Sequence, residues 1–148
     1  FEKLAILAER GRLDTFLTGQ GEASLLGGWL GLLQPHRGAK LVADHTLWPY
    51  FSQLFGLNLI EHLEPLPGIP PTTSHLQTVI ELMRAQHVKV VLASAYYDPR
   101  FAQFVAENTE ATVVNMAHQG DARPGTANYL DMVDYNVKQL AAALGGSA

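Results

Sequence analysis

Two histidines and an aspartate lie where the sequence predicts the ends of buried strands. His45 follows the apolar run 40–44, and His118 follows a second apolar run, 111–117, with Asp121 three residues further on. Imidazole and carboxylate groups are the ligands that borderline divalent metals such as zinc prefer in proteins. Because parallel strands present their carboxyl ends at one edge of a sheet, we expect these side chains to share that edge. They are candidate metal ligands.

Each candidate also has an ordinary structural interpretation. A histidine at the end of a strand is often a core residue with satisfied hydrogen bonds, so both interpretations stay open for His45 and His118. Two carboxylates that also follow predicted strands have structural roles of their own. Asp98 stands before a proline, which is typical of a helix cap, and Glu64 is expected to bond to loop amides. The remaining histidines are interpreted as surface residues: His36, His62, His75 and His87.

The elements that position these residues can be read from hydrophobic periodicity. Apolar runs predict strands at 40–44, 57–63, 88–94 and 111–117, each followed by a helical pattern, at 46–55, 73–86, 99–108 and about 126–144. Strands that are apolar throughout and alternate with helices indicate a parallel sheet covered on both faces. The predicted fold is therefore α/β, with a four-stranded parallel sheet flanked by helices.

The first part of the chain differs from this pattern. Residues 1–10 have a helical pattern, and glycines near positions 19–21 and 27–28 interrupt it. Residues 25–33 are apolar enough to pack on the sheet. We therefore divide the chain into a helical lead-in, 1–30, with a loop, and an α/β domain, 31–148.

Composition restricts the function further. The 148 residues carry a net charge of -4 and scattered basic residues, which argues against nucleic acid as a partner. The chain lacks the phosphate-binding loop, the nucleophile elbow and the paired histidines of zinc proteases, so an enzyme is not expected. A metal-dependent hydrolase at the same histidine edge is a weaker alternative, because no general base is obviously paired with the histidines.

Four motifs in order resemble one known family, the zinc- or manganese-binding solute-binding proteins of bacterial ABC importers. The motifs are HTLWPYF at 45–51, EPLPGIPP at 64–71, YYDPR at 96–100 and YLDMVDYN at 129–136. The first is similar to the family motif His-Asp-x-Trp-x-Tyr-Phe, in which the histidine binds the metal. The match covers about residues 31–144 and corresponds to the C-terminal lobe of a two-lobed receptor.

The resemblance implies a function and a set of partners. It implies an extracytoplasmic or periplasmic receptor that carries zinc, or alternatively manganese, to an ABC permease in the membrane, with residues 1–30 connecting to a missing N-terminal lobe. It makes His45 a metal ligand and puts the last ligand, usually an aspartate, near positions 117–118. His118 or Asp121 would replace that aspartate, or the ligand is absent. Thr46 replaces a common aspartate. The alternative is an α/β interaction module of the same fold that binds no metal.

Overall fold

A computed structural model describes residues 22–145, which form one sheet with helices on both faces. The predictions for residues 1–21 lie outside the described residues. The helices are α1 (Glu22–Leu33), α2 (Pro49–Phe55), α3 (Thr73–Gln86), α4 (Pro99–Glu107) and α5 (Tyr129–Gly145), and a 3₁₀ turn, Gln34–His36, follows α1. The strands are β1 (Lys40–Ala43), β2 (Asn58–His62), β3 (Val90–Ser94) and β4 (Thr112–Met116).

The four strands pair in the order β2-β1-β3-β4, and every pair is parallel. The predicted α/β fold is therefore confirmed. β3 is central and buried along its whole length, as its β-branched residues favour, whereas β2 is an edge strand and is partly exposed. The register shifts between Leu41 and Val42, so that β1 carries an irregularity against β2 shortly before the site edge.

The two faces of the sheet have separate cores. On one face, Trp48 and Phe51 from the α2 region pack with residues of α1 and α5. On the other face, α3 and α4 cover the sheet through residues such as Ile80 and Val105. Because helices cover both faces, the polar groups that reach solvent from the sheet are those at its strand ends. None of the helices within 22–145 has both the length and the hydropathy that crossing a bilayer requires.

The glycines of α1 do not end the helix, contrary to the sequence interpretation. Gly28 and Gly31 lie within the continuous helix Glu22–Leu33, and a side chain at either position would meet open space. Leu26, Trp29 and Leu33 are buried on the opposite face. Burial of these large side chains outweighs the cost of about 1 kcal/mol that each glycine imposes on a helix interior.

The helix ends follow local chemistry. Thr72 and Asp98 cap α3 and α4, since their side chains accept hydrogen bonds from the backbone amides of His75 and Arg100. The predicted cap at Asp98 is thus confirmed. α2 begins at Pro49 rather than at position 46, because proline suits the first turn of a helix.

One polar contact joins α1 to α5. The indole Nε1 of Trp29 donates to Oδ1 of Asp134 at 3.0 Å, and Lys138 forms an ion pair with the same carboxylate. Burial by itself would raise the pKa of Asp134, but the bonds to Lys138 and Trp29 outweigh it and hold the pKa below its ordinary value of 3.8. The ionised carboxylate therefore stabilises the packing of α1 on α5.

We expect Asp134→Ala to lower the free energy of unfolding by about 1 kcal/mol at pH 7, because the Trp29 donor loses its partner. Asp134→Asn keeps an acceptor and loses only the ion pair, so it should cost less, about 0.5 kcal/mol. Because the folded-state pKa is lowered, the wild-type advantage should persist above pH 4 and disappear as the pH falls through that pKa. Urea denaturation at several pH values measures this, and equal costs for both variants at pH 7 would contradict it.

Candidate metal-binding site

The imidazole of His45 is held by a carboxylate at the carboxyl edge of the sheet. His45 lies two residues after β1, and its Nδ1 contacts Oε2 of Glu64, which follows β2. An ionised carboxylate only accepts hydrogen bonds, so in the neutral imidazole Nδ1 carries the proton and Nε2 keeps its lone pair. The His45 side chain is 26% exposed. Nε2 is therefore the ring nitrogen that can bind a metal from the solvent side.

Glu64 is a buried carboxylate with several donors around it. It is only 4% exposed, and its Oε1 accepts the backbone amide of Gly68 at 2.6 Å, while the Tyr97 hydroxyl also bonds to the carboxylate. Burial by itself would raise the pKa of Glu64, but the bonds from Tyr97, His45 and Gly68 outweigh it and keep the pKa below its ordinary value. Burial and the bond to Glu64 raise the pKa of Tyr97 well above its ordinary value, so Tyr97 stays a donor. The predicted bond of Glu64 to loop amides is confirmed.

A second buried carboxylate fixes the backbone that carries His45. Asp44 is 2% exposed, and its side chain accepts the backbone amide of Ser94 at 2.7 Å and the Ser94 hydroxyl at 2.9 Å. Its own carbonyl accepts the amide of Glu64 at 3.1 Å. Burial raises the pKa of Asp44, and the bonds from Ser94 offset only part of that effect. Asp44 thereby ties the ends of β1, β2 and β3 together directly beside His45.

Two adjacent tyrosines pack against the two candidate histidines. His45 stacks on Tyr97 with ring centroids 5.1 Å apart, and His118 meets Tyr96 edge to face at 5.0 Å. β3 lies between β1 and β4, so at the usual strand spacing β1 and β4 are about 10 Å apart. Both histidines thus lie at the predicted edge, each against a different tyrosine from the end of β3.

His118 is positioned by a clamp on the residue before it. The side chain of Asn136, fully buried on α5, accepts the amide of Ala117 and donates to its carbonyl, both at 2.7 Å. The Nδ1 atom of His118 is buried and has no hydrogen-bond partner among the described residues. A ring nitrogen in that state is a candidate for an additional ligand.

Asp121 occupies a different setting. It is exposed and has a positive φ of 58°, and its amide donates to the carbonyl of Thr126 at 2.7 Å. The loop therefore fixes the backbone of Asp121 and leaves its carboxylate toward solvent. Across residues 22–145, no group of three or more His, Cys, Asp or Glu side chains is arranged to hold a metal ion. The described residues supply separate donors rather than a complete coordination shell.

The sequence did not predict the contact between His45 and Glu64. The two residues are 19 positions apart, and only the turn after β2 brings the carboxylate back to the end of β1. The prolines on both sides of Gly68 indicate a tight turn, and this is the sequence signal from which the contact could have been predicted. One surface prediction also needs correction, because Nε2 of His62 is buried without a partner, while its carbonyl accepts from His75 Nε2 at 2.9 Å.

The family of the chain follows from a match to residues 31–143. The matching family is described as zinc-uptake complex component A, periplasmic. The chain belongs to this family. The family is named for uptake of a metal and not for an enzymatic reaction. A search of curated proteins finds no significant match to the chain.

Solved structures support the same fold. The chain is similar to the solute-binding protein FpvC of Pseudomonas aeruginosa in complex with Mn²⁺, with 19% identity and a TM-score of 0.65, over 85% of this chain and 49% of that one. It is also similar to the laminin-binding protein of Streptococcus agalactiae, which is described as a bifunctional protein with adhesin and metal-transporting activity. The identity is 23% and the TM-score 0.69, over 82% of this chain and 46% of that one. A ZnuA structure matches with 20% identity and a TM-score of 0.67, over 81% of this chain and 42% of that one. The chain spans about half the length of these proteins.

The Asn136 clamp gives a prediction about the His118 edge. Asn136→Ala removes both partners of the Ala117 backbone inside the core, so we expect the free energy of unfolding to fall by about 2–4 kcal/mol. Gln139→Ala is the matched control, because Gln139 is exposed on the same helix and should change stability by less than about 0.5 kcal/mol. Urea denaturation followed by circular dichroism measures both variants. Similar, small effects of the two substitutions would contradict the clamp.

Proposed function

We propose that this chain forms the carboxyl-terminal lobe of the extracytoplasmic solute-binding component of a metal ABC importer, with zinc as the transported ion. The observation that carries the proposal is the contact of His45 Nδ1 with buried Glu64, which leaves Nε2 as the metal-binding nitrogen. Histidines that bind metals commonly donate their other ring N–H to a carboxylate, which fixes the tautomer and makes the ligating nitrogen more basic. The family match favours the same role.

The type of donor favours zinc over manganese. An imidazole suits zinc, whereas manganese prefers carboxylate, carbonyl and water oxygens. The similar proteins include FpvC with Mn²⁺ and FpvC with Ni²⁺, so manganese remains the alternative ion. A second imidazole at His118 would strengthen the preference for zinc, and a carboxylate at Asp121 would weaken it.

A tetrahedral site needs four donors, and the described residues hold no group of three candidate donors. Because the chain spans about half of its structural relatives, we propose that an N-terminal lobe supplies the remaining ligands and closes over the His45 edge. His118, with its unpartnered buried Nδ1, is the proposed second ligand of this lobe, and Asp121 is its alternative. The family match begins at residue 31, inside α1, so we propose that α1 joins the lead-in, 1–30, to the lobe.

The partners and compartment follow from this role. The receptor is proposed to act outside the cytoplasm, in the periplasm where one exists, and to deliver its ion to a membrane permease. The family description as a periplasmic uptake component supports this, and nucleic acid is not a proposed partner. The carboxylate beside His45 would also suit the base of a hydrolase, but the uptake family favours transport. An interaction module without metal binding is the alternative that the next experiment separates.

We expect His45→Ala in the full-length protein to weaken zinc binding by more than about 100-fold, since removing even the carboxylate partner of a ligand typically costs about 10- to 100-fold. Thermal stability should fall modestly, because buried Glu64 loses one of its donors, but the bonds from Gly68 and Tyr97 remain and the variant should stay folded. Competition titration with a fluorescent zinc indicator measures the affinity.

The control for this variant is His87→Asn, at the opposite end of the sheet. His87 has a positive φ of 54°, which asparagine tolerates better than most residues, so the backbone stays unstrained. Its zinc affinity should equal that of the wild type. Unchanged affinity in His45→Ala would remove His45 from the site and favour the interaction module.

A second pair of variants separates the two candidates for the other ligand. We expect His118→Ala to weaken zinc binding more than Asp121→Asn, because His118 directly follows the clamped end of β4 and Asp121 lies in an exposed loop. Asparagine is chosen at position 121 because alanine would be strained at the observed φ of 58°. The same titration reports both affinities. A larger loss in Asp121→Asn would assign the ligand to the carboxylate.

A further inference from the structure

A basic cavity lies at the amino edge of the sheet, at the opposite end from His45. It has a volume of about 410 Å³ and is lined by Arg37, Lys40, Lys89, His36 and His87, with Leu144 at one side. No aspartate or glutamate lines it. This concentration of basic side chains stands out in a chain whose net charge is -4.

The two lysines lie at the amino ends of adjacent strands: Lys40 is the first residue of β1, and Lys89 directly precedes β3. β1 and β3 pair with Val42 opposite Val91, and continuing that register toward the amino ends places Lys40 beside Lys89. Like charges that face each other across neighbouring strands destabilise a sheet. An anion between them would turn this repulsion into attraction.

The cavity cations also lack protein partners. Elsewhere in the described part of the chain, every lysine and arginine bonds to a protein acceptor: Arg84 to Asn108, Arg100 to Asp98, Arg123 to Met116 and Lys138 to Asp134. Within residues 22–145, Arg37, Lys40 and Lys89 form no ion pair or side-chain hydrogen bond. The three cations without an acceptor are thus the three that line this one cavity.

The local backbone holds Arg37 at the cavity. The amide of Gly38 donates to the carbonyl of Gly56 at 2.7 Å, and the Arg37 guanidinium lies over Gly56 so closely that a Cβ there would be 3.1 Å from its Cζ. Gly56 also has a positive φ of 66°, so both its conformation and its lack of a side chain serve this approach. The planar guanidinium is a suitable donor for an oxyanion, since it can form two parallel hydrogen bonds.

We infer that this cavity binds an oxyanion of the phosphate class, held by Lys40, Lys89 and Arg37, at a site separate from the metal-binding edge. Cations near the carboxyl ends of helices also complement the helix dipole, and α3 ends at His87 beside the cavity. That effect alone would make each lysine stabilising without any ligand. An oxyanion site instead predicts that the lysines repel each other until the anion binds.

The test is calorimetric titration of inorganic phosphate into the full chain at constant ionic strength, in a phosphate-free buffer, because salt alone screens the repulsion. Phosphate should bind the wild type, and Lys40→Gln and Lys89→Gln should each weaken binding by about tenfold or more. Lys138→Gln is the matched control, since it removes the same charge from a paired lysine on α5, and it should bind as the wild type does.

Two further measurements complete the test. The first is sedimentation with phosphatidylglycerol vesicles, with vesicles of neutral lipid as the control, and it asks whether the bound phosphate belongs to a lipid headgroup. The site is supported if the wild type binds inorganic phosphate or the phosphatidylglycerol vesicles and both lysine variants lose that binding. Melting curves without phosphate should show Lys40→Gln and Lys89→Gln at least as stable as the wild type. Binding of neither probe, equal weakening in Lys138→Gln, or lower melting temperatures of both lysine variants without phosphate would overturn the inference.

Discussion

The buried carboxylate of Glu64 imposes the strictest constraint on the carboxyl edge of the sheet, where the candidate metal ligands lie. A charge that is removed from water is costly unless hydrogen bonds replace its hydration, and Glu64 is 4% exposed. It obtains donors from three parts of the chain: the turn at Gly68, the end of β3 at Tyr97, and the end of β1 at His45. Because each donor must lie within hydrogen-bond distance, the carboxylate fixes the turn after β2 against two other strand ends.

This constraint explains why a partly exposed histidine has a defined orientation. The Nδ1 atom of His45 is bonded to Glu64, and the face of the His45 ring stacks on Tyr97. Tyr97 itself bonds to Glu64. Asp44 adds a second restraint, since it crosses to Ser94 and holds the backbone one residue earlier. The result is an imidazole whose ring orientation is fixed before any ligand arrives, which would lower the entropy lost if a metal bound there.

The parallel sheet also separates charge along the molecule. Every helix that follows a strand begins at the carboxyl edge of the sheet and ends at the amino edge. The partially positive helix ends therefore lie near the carboxylates Asp44, Glu64 and Asp98. The partially negative helix ends lie near the cations Lys40, Lys89 and Arg37. The amino edge thus carries the three cations without a protein acceptor, whereas the arginines at the carboxyl edge, Arg100 and Arg123, bond to Asp98 and to Met116. The proposed metal and oxyanion sites therefore lie at opposite edges of the sheet and share no residue.

The sequence predicted the fold better than it predicted the site, for a physical reason. The strands were found within about two residues because burial on both faces demands continuous apolar runs, such as Val90–Ser94. The errors arose where tertiary packing overrides local preference, as in α1, where burial of Trp29 carries the helix through Gly28. The contact of His45 with Glu64 depends on a turn whose path periodicity does not encode.

The arrangement of the two tyrosines limits how a metal could use both histidines. His45 and His118 follow β1 and β4, which are about 10 Å apart, and each side chain must span part of that distance for its nitrogen to lie about 2.0–2.1 Å from a shared zinc ion. Tyr96 and Tyr97, from the strand between them, contact one histidine each. Glu64 anchors Tyr97, while Tyr96 is 71% exposed and bonds only to the exposed side chain of Gln119 among the described residues. Any movement that brings the two imidazoles onto one ion should therefore fall on Tyr96 and His118, because the His45 side is held by buried hydrogen bonds.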